Sequence, residues 1–275
     1  MSLESHASHE TTKSRRKKAM PLIATAVVWL LPAVLVAQRG QGGPGGAGAA
    51  QAAPTPQAAA PIDLTGYWVS IIVDEWRFRV TPQKGDIAYL PLNAEARQIA
   101  NAWDPAKDEA DGNQCKAYGA VGVMQRPGRL HITWDNGATL KVEADAGGQT
   151  RLLHFGAAPA DKGQPSWQGY SSAEWQMPGG GRRGAPAPGP RTGFLKVVTS
   201  NMQPGYLRKN GVPYSDKAVL TEFVNRLAGQ QDDSYIAVTA TVEDPTYLTQ
   251  PFLRTYTFKK QPDASGWEPT PCWNR

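Results

Sequence analysis

The run GFLKVVTS (193–200), PGYLRKNGVPYS (204–215), KAVLTEFVNRL (217–227) and DSYIAVTATVEDPTYLTQPFLRTYTFKK (233–260) decides the fold. From Tyr235 to Glu243 the side chains alternate. Ile236, Val238, Ala240 and Val242 share one face, and Tyr235, Ala237, Thr239 and Thr241 the other. Period two with β-branched residues predicts a half-buried strand. Asp244-Pro245 ends it, and Phe252, Arg254, Tyr256 and Phe258 then alternate with Leu253, Thr255 and Thr257 in the next. Asn210-Gly211 predicts a two-residue type I′ hairpin, because both central positions then need positive φ. Pro213 confines the second arm to an edge.

Outward from this stretch the pattern repeats. Arg129 to Phe155 predicts a three-strand antiparallel meander, with turns at Asp135-Asn136-Gly137 and Asp145-Ala146-Gly147-Gly148. Leu64–Val73 and Glu75–Val80 predict the first two strands. Leu92, Ala96, Ile99, Ala100 and Trp103 fall at helical spacing, with Asn93 as N-cap and Pro105 beyond the end. That predicts one short helix, docked by Ile99 and Trp103. Tyr170–Gln176 and Gly193–Ser200 form a hairpin interrupted by the low-complexity insert PGGGRRGAPAPGPR (178–191), expected to be flexible.

The expected fold class is all-β: about 9–10 antiparallel strands in an up-and-down barrel or strongly curved sheet, lipocalin-like in outline, with one short helix. A two-sheet β-sandwich is the alternative.

The N-terminal quarter reads differently. Lys13 to Lys18 is basic, and Ala19 to Ala37 (AMPLIATAVVWLLPAVLVA) is uncharged and apolar. This is an export signal, either removed or retained as an N-terminal membrane anchor over 1–37. Residues 38–61 are rich in Gly, Ala, Pro and Gln, the composition of a disordered linker. Residues 62–275 then form one barrel-like domain. The basic flank stays in the cytoplasm. The domain is therefore expected in the periplasm or outside the cell, with a tether to the inner membrane if the segment is kept.

Charge and chemistry narrow the function. Residues 1–37 hold five of the 29 basic residues and two of the 24 acidic ones, so the remainder is nearly balanced. That is no footprint for nucleic acid. Cys115 and Cys272, the only cysteines, predict one disulfide in an exported domain. No metal cluster, cofactor motif or nucleophile–base motif is present in the sequence. His131 and His154 read as surface or rim residues.

One feature suggests a site. Glu222 shares a face with Leu220 and Val224, so it needs a cation if that face is inward. Arg254, which interrupts an aromatic face, is the expected partner. With Tyr214 and Tyr256 these residues form the candidate ligand-binding set. They grip the polar head of a small apolar or amphiphilic ligand, or Glu222 and Arg254 form a structural ion pair. Arg208, Lys209 and Tyr214 would line a mouth. The functional expectation is an extracytoplasmic domain binding a small, partly apolar ligand. Its alternatives are a structural or partner-binding envelope protein, and an enzyme with Glu222 or a histidine as acid or base.

The segments GVPYS (211–215), TEF (221–223), VEDPTYLTQPF (242–252), PTPC (269–272), NQCKAYG (113–119) and PSWQGYSSAEW (165–175) together resemble an uncharacterised family of exported bacterial β-rich proteins. The resemblance runs from about Asp63 to Cys272. It implies a secreted or periplasmic domain and transfers no catalytic role. Gly66-Tyr67-Trp68 is similar to the G-x-W signature of lipocalins.

Overall fold

Side-chain alternation becomes a closed wall in the computed structural model, which describes residues 52–72, 76–80, 82–177 and 192–273. The expected signal or anchor at 1–37 and the insert at 178–191 lie outside the described residues. Among the described residues no helix is long and apolar enough to cross a membrane.

The described residues form eleven strands: β1 (Gly66–Ile71), β2 (Arg129–Asn136), β3 (Thr139–Ala144), β4 (Gln149–Phe155), β5 (Tyr170–Gln176), β6 (Phe194–Ser200), β7 (Gly205–Arg208), β8 (Val212–Tyr214), β9 (Val219–Ala228), β10 (Ser234–Glu243) and β11 (Phe252–Lys260). Nine of them close a barrel in the order β1-β11-β10-β9-β6-β5-β4-β3-β2, and β7 and β8 pair separately. The barrel is mixed, where alternation predicted antiparallel pairing throughout. An odd ring cannot alternate direction all the way round, so one neighbouring pair must be parallel. That pair is β4–β5, joined through Leu153–Ser171, His154–Ser172 and Phe155–Ala173. The connection between them crosses one end of the barrel. There Trp167 O accepts from Ala120 N at 2.9 Å, and Gln168 Nε2 donates to Tyr118 O at 2.9 Å.

The expected inward face of β10 is the observed one: Ile236, Val238, Ala240 and Val242 are all buried. Trp68 on β1 is fully buried and donates its indole N–H to Leu64 O. Each large apolar side chain so buried contributes about 1.5–3 kcal/mol. The expected meander is β2–β3–β4, and the expected interrupted hairpin is β5–β6.

Four local expectations change. Trp76–Val80 is a turn of helix, α1, and not a strand. Its alternating aromatic and basic residues suit either, and tertiary contacts decide: Arg79 Nε and Nη1 donate to Gln125 O and Ile71 O. The described residues hold four short helices and not one. Helix α2 (Ala94–Ala102) has the expected cap, with Asn93 Oδ1 accepting from Ala96 N at 2.9 Å. It docks through Ala96 and Ala100, leaving Ile99 and Trp103 half-buried. Pro105 begins α3 (Pro105–Ala110), and α4 (Ala120–Val123) follows a 3₁₀ turn at Lys116–Tyr118. At Asn210-Gly211 only Gly211 has positive φ, 79°, so the turn is not type I′. The Trp103 ring packs so closely on Gly211 that a Cβ there would overlap it. Finally, the end of the expected linker is ordered: Pro56 O accepts from Trp175 Nε1 at 2.9 Å, and Gln57 N donates to Gly137 O at 3.1 Å.

Cys115 and Cys272 are disulfide-bonded, 157 positions apart in sequence. The bond ties the 3₁₀ turn before α4 to the C-terminal tail, where Tyr118 OH donates to Trp273 O and Thr270 N to Asp145 O.

Candidate functional site

The barrel interior is the first place to look for a ligand. Glu222 on β9 faces inward, as its position between Leu220 and Val224 predicts. Its cation is Arg151 on β4, not Arg254. Arg151 Nη1 donates to Glu222 Oε1 at 3.1 Å, and Nη2 to Oε2 at 2.6 Å. Both side chains are 3% exposed. Arg151 Nη2 also donates to Thr199 Oγ1, which is bonded in turn to Ser171 Oγ at 2.8 Å. This two-pronged geometry is the strong form of a guanidinium–carboxylate pair. Around it Leu130, Ile132, Leu140, Leu195, Val224 and Val238 leave a space of about 20 Å³. That is room for a single water molecule.

The expected set Glu222, Arg254, Tyr214 and Tyr256 does not converge on that pair. In the strand register Arg254 lies opposite Ala240, which lies opposite Glu222. The arginine is half-exposed, with its guanidinium over Phe252 and Nη1 donating to Leu253 O at 2.6 Å. Arg151 reaches Glu222 from another part of the wall. Tyr256 is buried, with the Arg79 guanidinium 5.4 Å from its ring centre. Tyr214 is buried on β8, and burial raises its phenol above the usual range. His131 stacks on Tyr67 at 4.2 Å and bonds to Glu143, while His154 stacks on Tyr170.

Sequence reasoning missed Arg151. Its strand carries apolar residues on both faces, Leu153 and Phe155 on one and Leu152 on the other, so alternation alone does not say which side is inward.

A second cluster is cationic. Arg79, Arg126 and Arg208 are all buried, and Lys209 is half-buried beside them. Arg208 lies over the Phe78 ring at 4.3 Å. Burial and the charge of Arg126 bring Lys209 down to about 8. Burial brings Arg126 itself down to about 10, with Arg79 and Arg208 adding to the shift and Tyr118 and Tyr256 opposing it. Arg126 is still charged at neutral pH.

No family model, curated protein or solved structure matches the chain. Geometry therefore carries the functional argument.

The third feature is a surface groove of about 340 Å³ between α2, α3 and the β7–β8 ribbon. Ile99, Ala102, Trp103 and Tyr206 give it apolar and aromatic walls, and Asp104, Asp111 and Lys107 lie at its edge. Asp108 braces it. Its Oδ2 accepts from Trp103 Nε1 at 2.8 Å and from Tyr206 OH at 2.7 Å, and Lys116 Nζ stands 3.9 Å from Oδ1. Burial, then the bond to Asp108, raises the Tyr206 phenol well above its ordinary value. The walls are thereby fixed without any ligand. Among the described residues no group of histidine, cysteine, aspartate and glutamate is arranged to hold a metal ion.

Proposed function

We propose that this chain is an exported binding domain, and that its small, partly apolar ligand sits in the groove of Trp103 and Tyr206 and not in the barrel lumen. The observation that carries this reading is the contrast in space. The groove offers about 340 Å³, within the range of small-molecule sites, and the lumen about 20 Å³. A lipocalin-like outline would put the ligand inside, but the packed Leu, Val and Ile side chains argue for the outer site. The ligand would lay an apolar face on Trp103 and Ile99. Hydroxyl or ammonium groups would turn toward Asp104, since Asp108 already accepts from two donors and Asp111 is paired with Lys107 at 2.6 Å.

Binding is favoured over catalysis because Glu222, the carboxylate an acid–base mechanism would use, is enclosed and doubly bonded by Arg151. The Cys115–Cys272 disulfide supports a periplasmic or extracellular setting, since such bonds persist in oxidising compartments. Whether the domain is tethered to the inner membrane depends on residues 1–37.

Native mass spectrometry of protein purified from its own envelope tests the reading. A small-molecule adduct should accompany the wild type. It should be absent from Ala102→Arg, which fills the groove from an exposed helix position, and from Trp103→Ala. An adduct retained in both variants places the ligand elsewhere.

A further inference from the structure

Arg126 follows α4, and only 4% of it is exposed. Its Nε, Nη1 and Nη2 are all buried without a hydrogen-bond partner. Nothing else among the described buried residues combines a full charge with so complete a lack of acceptors. Arg79 and Arg208, close enough to depress it, are cations too. They differ from Arg126 in being engaged: Arg79 donates to two carbonyls, Arg208 lies over aromatic rings, and both have further interactions. Among the described residues the Arg126 guanidinium thus has cations and the Tyr118 and Tyr256 phenols as its charged or titratable neighbours, with no carboxylate bonded to it.

Leaving a guanidinium buried and unbonded costs several kcal/mol, far more than a fold gains from packing its stem. Proteins meet such costs at places that bind the missing partner. A guanidinium presents a planar fork of donors matched to two oxygens of one anion. Arg79, Arg208 and half-buried Lys209 stand near Arg126 and have interactions of their own, and Lys209 is the most exposed of the four.

We propose that Arg126 anchors a binding site for a small oxyanion, a phosphate, sulfate or carboxylate group, with Lys209 as the second, more exposed contact. The anion would accept from the Arg126 donors, which have no partner in the fold, and from Lys209 Nζ. This site is separate from the groove of Trp103 and Tyr206 and does not depend on it.

The test uses the full chain in a buffer free of oxyanions. Thermal unfolding is followed while sodium phosphate, sulfate or acetate is added, with sodium chloride at equal ionic strength as the control. At a hundredfold excess over Kd, binding should raise the wild-type midpoint by about 5–10 °C above the chloride control. The order of the three anions separates tetrahedral from planar preference. Arg126→Met should unfold at a higher temperature than anion-free wild type and should lose the anion response. Lys209→Gln should keep the response with about tenfold weaker affinity, and Ala102→Arg should keep it unchanged. A wild-type response no larger than that to chloride, or an equal response in Arg126→Met, overturns the proposal. If Arg126→Met does not fold, calorimetric titration of wild type and Lys209→Gln with phosphate decides: equal affinities, or no heat from either, overturn it.

Discussion

Two buried arginines meet opposite fates in this barrel. Arg151, in the lumen, has a carboxylate across both Nη atoms and a threonine hydroxyl besides. Arg126, at the end near α4, has neither. Both are removed from water to a similar degree. The difference teaches that burial alone does not say whether a charge is structural. The acceptors do. A bonded guanidinium completes a core, and an unbonded one is an unfinished interaction.

The sharpest way to break the comparison is to strip the lumen arginine of its partner. Glu222→Ala leaves Arg151 buried and unpaired, and should cost about 3–5 kcal/mol in urea unfolding. Replacing both members, Arg151→Met with Glu222→Leu, should recover most of that loss. If Glu222→Ala costs under 1 kcal/mol, the pair is not enclosed as described.

The disulfide comes next. Cys115→Ser with Cys272→Ser should cost about 2–5 kcal/mol, judged by the same unfolding curves. It should also blunt the difference between the arginines, because the tie nearest Arg126 is then gone and that end can admit water. A full stabilising effect of Arg126→Met in the disulfide-free protein would show that the tie does not confine Arg126.

Thr199→Val should cost about 1–2 kcal/mol, since it removes an acceptor of Arg151 and the partner of Ser171. A loss near zero would mean that the carboxylate alone satisfies the guanidinium.

The smallest effect is a pH dependence at the cationic end. Lys209 titrates near 8 in the fold, below its ordinary value, so the folded state releases its proton first. Between the folded and unfolded values the unfolded chain binds more protons, and stability rises with pH. Below pH 8 the penalty is present in full. Urea midpoints should therefore climb modestly from pH 8 to 10 in wild type relative to Lys209→Gln. Parallel profiles would remove Lys209 from the cluster.

Much of the fold was legible because long strands repeat a simple rule. The strands β9, β10 and β11 are nine or ten residues long, β10 alternates almost throughout and β9 over its first seven residues, and the wall they form is the one that alternation predicts. Glu222 was legible as a buried carboxylate for the same reason, and Cys115 and Cys272 as a pair because no other cysteine exists. Short segments were not. Trp76–Val80 is too brief for a period to distinguish helix from strand, and carbonyls from distant segments settle its shape. Arg151 was hidden by apolar residues on both sides of its strand. The parallel β4–β5 contact was hidden because it joins strands separated by a connection without periodic pattern. The groove combines α2, α3 and β7, and no local reading brings Trp103 to Asp108 and Tyr206.

The short parallel contact between β4 and β5 has a consequence for how water meets the interior. Arg151 on β4 and Ser171 on β5 belong to a polar chain completed by Thr199 on β6 and Glu222 on β9, so the most briefly joined pair of barrel strands carries two of its four members. Parting of the wall along that seam would wet a salt link able to accept water before it reached the hydrocarbon opposite.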